Sequence, residues 1–164
     1  MTAILLALAQ LCVSESGFRA ADDDAHDCAA IFYVIRSRSR SARITWLATA
    51  HAYSPRVFRE SRAGSRPYLP HLRLDGREPR GWPSTHGPWR HYRPRWRRIL
   101  EHSQDIVRGR VSNPCPGARH WGMATGEEYR RPREVYGWRQ VTCTRPTLNA
   151  FWSVPRGRGR RPGR

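Results

Sequence analysis

Trp82–Arg98, WPSTHGPWRHYRPRWRR, brings five arginines, three prolines, three tryptophans and a tyrosine into one short run. Arginine offers charge and a planar fork of donors matched to phosphate. Tryptophan offers a flat face on which a base can stack, at about 1–3 kcal/mol each. Proline discourages regular structure. Trp82, Trp89, Tyr92 and Trp96 alternate here with Arg90, Arg93, Arg95, Arg97 and Arg98. That interleaving suits a surface that grips a polyanion, and these nine residues are candidate nucleic-acid contacts.

Two further basic segments bear on the same chemistry. Arg36–Ser41 is three Arg-Ser dipeptides, and it resembles a very short version of the arginine–serine segments of splicing-type RNA-binding proteins. The resemblance implies phosphorylation of Ser37, Ser39 and Ser41, each phosphate adding roughly −1.5 to −2 of charge. The C-terminal Arg156–Arg164, RGRGRRPGR, resembles the RGG-type tails of RNA-binding proteins, with alternation in place of true RGG repeats. It adds Arg156, Arg158, Arg160 and Arg161 to the candidate contacts, and RNA is the partner that both resemblances imply.

Other chemistries find little support. Zinc needs about four ligands at workable spacing; there is no C-x-x-C pair, and Cys115, His120 and Cys143 are scattered. All 30 basic residues are arginine, so a Walker-type phosphate loop and a Schiff-base lysine are both excluded. Ser84, His86 and Asp105 supply the residue types of a triad without a nucleophile-elbow motif. Ala20–Cys28, AADDDAHDC, lacks the glycine-punctuated spacing of a calcium loop and is read as a solvated acidic turn. An enzyme is not expected, nor a metal, a cofactor or a small-molecule substrate.

The elements that must carry these residues are weakly written. Leu, Ile, Val and Phe make up 28 of 164 residues, below the roughly 20% at which highly charged chains tend toward disorder. The net charge is +17, which opposes collapse. The expected fold class is therefore mostly irregular or disordered, with minor α+β content. Along the chain, residues 1–16 form an apolar N-terminal segment, in which Ala3–Val13 has the length of a signal-peptide core. Residues 17–53 hold the acidic loop and a β-hairpin, pairing the apolar Ile31–Ile35 with the alternating Ile44–Tyr53.

Residues 54–93 read as a Pro/Arg-rich linker. Residues 94–154 read as a weak α+β region. It begins with a helix at about 95–108, on which Trp96, Ile99, Leu100, Ser103, Ile106 and Val107 share a face; Pro94 suits its start and Gly109 its stop. A capping box at Thr125–Glu128 and a strand within Val135–Thr144 complete the reading. Residues 155–164 are the basic tail.

Sequence-independent binding of nucleic acid or another polyanion, RNA foremost, is the leading functional expectation. Alternatively, removal of the N-terminal segment would release a secreted cationic protein whose Trp/Arg content suits an anionic membrane. Location follows function, nuclear for the first and secreted for the second. A third alternative is a GC-rich reading frame without a selected function, since Arg, Ala, Gly and Pro account for 72 residues. The four cysteines, Cys12, Cys28, Cys115 and Cys143, indicate neither a pairing nor a compartment.

Overall fold

The apolar run Ala3–Val13 is hydrophobic on all sides, and such a helix is stable in water only when surrounded. In the computed structural model, which describes residues 1–22, 26–58, 66–123 and 136–154, it forms α1 (Thr2–Ser16), with every residue from Ala7 to Val13 buried. A 3-10 turn over Gly17–Ala21 follows and buries Phe18. Then come α2 (Asp27–Ala42), α3 (Trp46–Tyr53) and the single turn α4 (Pro55–Phe58). Residues 66–92 carry three short 3-10 turns, Leu69–His71, Ser84–His86 and Trp89–His91, and α5 (Arg93–Val107) then packs on α1 and α2. A small antiparallel sheet closes the fold: β1 (His120–Met123), β2 (Arg139–Gln140) and β3 (Asn149–Ser153), in the order β1-β3-β2. Trp121 lies opposite Phe151, and Arg139 opposite Ser153.

The expectation of a mostly irregular, disordered chain is overturned. The reason lies in which residues build the core. A measure based on Leu, Ile, Val and Phe overlooks alanine and tryptophan, yet Ala7, Ala9, Ala29, Ala30 and Ala50 let helices approach closely, and Trp46, Trp89, Trp96 and Trp152 fill volume around them. Two disulfides add covalent restraint: Cys12–Cys28 joins α1 to α2, and Cys115–Cys143 joins the segment before β1 to the chain after β2.

The hairpin across residues 31–53 is likewise overturned, since both of its strands are helices. Ile31–Ile35 lies inside α2, where Cys28, Ile31, Phe32, Ile35 and Ser39 follow helical spacing and are all buried. An apolar run of five residues does not distinguish a strand from a buried helix, and here the flanking chain decides. The Arg-Ser dipeptides continue the helix rather than forming a loop. Ser39 and Ser41 return their hydroxyls to the carbonyls of Arg36 and Ser37, at 2.9 and 3.0 Å. Arg40 sits in the last turn, at the negative end of the helix dipole. In α3 the alanines that suggested alternation are strong helix formers, and Thr45 caps the start by accepting from the Ala48 N–H at 3.1 Å.

Elsewhere sequence and structure lie closer. The helix expected at about 95–108 runs Arg93–Val107, with proline in its first turn. Of the strand expected in Val135–Thr144, Arg139–Gln140 is β2. Of residues 54–93, read as linker, Pro55–Phe58 is α4, and Val57, Tyr68, Leu69, Leu72 and Trp89 are buried. The Thr125–Glu128 capping box and the tail lie outside the described residues.

Asp27 does not belong to a solvated acidic turn. It is wholly buried at the first position of α2, where a carboxylate favours the helix dipole. Its Oδ2 accepts from the Leu148 N–H at 2.8 Å, and its Oδ1 from the Asn149 N–H at 2.8 Å and the Asn149 side-chain amide at 3.0 Å. One carboxylate thus pins β3 to the start of α2.

Candidate functional site

The Trp/Arg stretch divides into two faces. On α5, Trp96, Ile99, Ser103 and Ile106 recur at helical spacing and turn inward. Trp96 is wholly buried, and its indole N–H donates to the Arg73 carbonyl at 2.7 Å. Trp89 is buried and donates to the Gly76 carbonyl at 3.0 Å; the half-buried Trp82 donates to the Gly87 carbonyl at 2.9 Å. Trp82, Trp89 and Tyr92 stand edge-on around Phe18, with ring centroids 5.8, 5.9 and 5.2 Å away. Such edge-to-face pairs add about 0.5–1.5 kcal/mol each beyond area burial. With these faces turned into the core, Trp89 and Trp96 are in no position to stack on a base.

The arginines do the opposite. Arg90, Arg93, Arg95, Arg97 and Arg98 are all exposed around the start of α5. Among the described residues none of the five makes an ion pair; the pairs found are Arg73–Asp75, Arg77–Asp75 and Arg110–Asp105. Cations at a helix N-terminus stand against the positive end of the dipole. Spread around the exposed side of the first turns of α5, they raise the positive potential there, which an approaching polyanion would relieve. Arg156, Arg158, Arg160 and Arg161 lie outside the described residues.

The three serines separate by helical phase. Ser39 is buried, Ser37 half-buried and Ser41 exposed. Ser37 and Ser41, one turn apart, both accept from the guanidinium of Arg119, the latter at 3.1 Å. A phosphate on Ser41 would therefore meet an arginine already in place, whereas Ser39 presents no hydroxyl to a kinase.

Arg119 belongs to a second basic site that the sequence did not announce. A cleft of about 790 Å³ opens between the C-terminal half of α2, α3 and β1. Arg38, Ser41, Tyr53, Arg119 and His120 supply its polar wall. Ala42, Ile44, Ala52 and Val154 supply an apolar wall opposite in character. Arg38 Nη1 lies 2.5 Å from the Tyr53 hydroxyl, 3.1 Å from the Arg119 carbonyl and 3.0 Å from His120 Nδ1. Its guanidinium carbon is 4.2 Å from the centre of the Tyr53 ring. The hydroxyl of Tyr53 also meets His120 Nδ1. Trp121 stacks on Tyr53 with centroids 4.7 Å apart, and Trp138 on His120 at 4.0 Å.

Burial, opposed by the nearby Arg38 charge, pushes the Tyr53 hydroxyl up to about 12. Burial, with Arg38 and then Arg119 adding repulsion, holds His120 down at about 4. At neutral pH Tyr53 therefore keeps its proton and the imidazole is uncharged. The folded state binds a proton at His120 less readily than the unfolded chain does. Its contribution to stability is thus present above pH 6.5 and lost as the pH falls through about 4. Partial exposure keeps the effect modest. Thermal melts of wild type and His120→Asn across that window should show the steeper acid-side decline in wild type; parallel curves would contradict it.

His86 and His91 stand at a spacing that zinc sites use, but the described residues contain no group of three or more candidate metal ligands. Comparison with family models, with curated proteins and with solved structures finds no match to this chain.

Proposed function

We infer that this chain binds polyanions, single-stranded RNA foremost, without sequence preference, through the exposed arginines around the start of α5. The observation that carries the reading is the set Arg90, Arg93, Arg95, Arg97 and Arg98, exposed together on a rigid helix and its lead-in, with no carboxylate partner among the described residues. Each phosphate neutralised by such a residue releases a condensed counterion, so affinity rests on charge and falls steeply with salt. The neighbouring tryptophans serve indirectly, by holding α5 against the core. The tail adds charge by composition.

The test is the salt dependence of binding to a fluorescent oligouridylate, followed by anisotropy. Replacing Arg95, Arg97 and Arg98 together by Gln should weaken binding at low salt. It should also reduce the slope of log K against log salt by about 2, from roughly 0.7 per phosphate contact on a single strand. An unchanged slope would remove the α5 face from the reading. The same titration with duplex DNA of mixed sequence checks the absence of sequence preference.

A further inference from the structure

The cleft between α2, α3 and β1 is not explained by polymer binding, and it is built from other residues than the α5 face. Two arginines, Arg38 and Arg119, line it. Arg119 sits against Ser37 and Ser41, and its backbone carbonyl accepts from Arg38. Among the described residues, the other groups they touch are neutral: two serine hydroxyls, a tyrosine that keeps its proton and an uncharged imidazole. Among the described residues no carboxylate lines the cleft. Nε and Nη2 of Arg38 find no acceptor among the described residues, so donors remain on a cation whose protein partners occupy only Nη1. Two cations lining one cleft, with no counter-charge among the described residues, favour a compact dianion, and an arginine fork binds phosphate oxygens two at a time.

The apolar part of the lining answers what the dianion is attached to. Ile44 is 49% exposed and Val154 39% exposed, both large apolar side chains facing the cleft beside Ala42 and Ala52. A volume of about 790 Å³ falls in the range of small-molecule sites, which pair a mostly apolar lining with a few convergent polar groups. We propose that this cleft binds a small organic phosphate monoester of mononucleotide size, its phosphate between Arg38 and Arg119 and its organic part against Ile44, Ala52 and Val154.

Isothermal titration of the full chain with adenosine 5′-monophosphate, adenosine and inorganic phosphate at fixed ionic strength tests this. The monophosphate should bind one to one and at least about 10-fold more tightly than either fragment, because each fragment uses one wall only. Arg38→Gln and Arg119→Gln should each weaken it about 10-fold or more. Ile44→Glu, a change at an exposed position that places an anion at the cleft, should do the same while leaving the circular dichroism spectrum unaltered, and it decides the matter if an arginine variant fails to fold. Replacing Arg95, Arg97 and Arg98 by Gln should leave monophosphate binding as it is. Binding of the monophosphate no tighter than of adenosine or of phosphate would overturn the proposal. So would an Ile44→Glu protein that binds like wild type, or loss of binding in the Arg95/Arg97/Arg98 variant, which would move the ligand to the α5 face.

Discussion

Trp96→Ala is expected to destabilise the protein by about 3–5 kcal/mol, the cost of deleting a buried aromatic and leaving a cavity. Trp96 has no exposed surface, and its indole N–H is the partner of the Arg73 carbonyl. The substitution removes packing under α5 and also orphans a backbone acceptor. With net stabilities of about 5–15 kcal/mol typical of domains, such a loss can take much of the whole. Urea denaturation should show a large fall in midpoint. By contrast, Arg95→Gln, Arg97→Gln and Arg98→Gln sit on the exposed face and should stay within about 0.5 kcal/mol of wild type. The sequence alone suggested that Trp89 and Trp96 would cost RNA affinity directly, through lost stacking. The fold instead assigns them to stability, and any affinity lost in the Trp96→Ala protein should follow the unfolded fraction. A Trp96→Ala chain of unchanged stability that no longer bound RNA would reinstate stacking and remove Trp96 from the core.

Deleting residues 2–16 should leave a chain that does not fold cooperatively. Leu8, Leu11 and Val13 are wholly buried in α1, and burying each is worth about 1.5–3 kcal/mol. α5, α2, α3 and the Gly17–Ala21 turn all pack on that helix. The deletion also takes Cys12 and with it the disulfide to Cys28. Loss of amide dispersion in a two-dimensional NMR spectrum is the expected readout. Thr2–Ala21 is long and apolar enough, by length and composition, to cross a bilayer, and half of that stretch is buried inside the fold. A secreted, membrane-active form without residues 1–16 would thus begin without the helix on which the others pack. A truncated chain with a well-dispersed spectrum would bring that alternative forward.

What the sequence by itself determined here is what depends on local spacing and on charge. α5 was legible because Trp96, Ile99, Ser103 and Ile106 follow one helical face, with Pro94 and Gly109 at its ends. The same periodicity put Trp96 on the apolar face, a signal that already argued against its use as a stacking platform. The absence of lysine and the excess of arginine set the class of partner proposed for the exposed face. The tertiary structure decided the rest. Ile31–Ile35 is too short an apolar run to declare its period, and it became helix because α1 supplies a surface that buries Cys28, Ile31 and Ile35 together. The alanines and tryptophans carry little weight in a composition measure, but they gain free energy once close-packed helices exclude water from them. Asp27 looked solvated until a strand more than a hundred residues away turned its N–H groups toward it. The Arg38–Arg119 cleft exists only because β1 is folded against the end of α2, which brings together cations 81 positions apart. No local pattern records such a pairing, since its energy comes from contacts that the chain makes only after collapse.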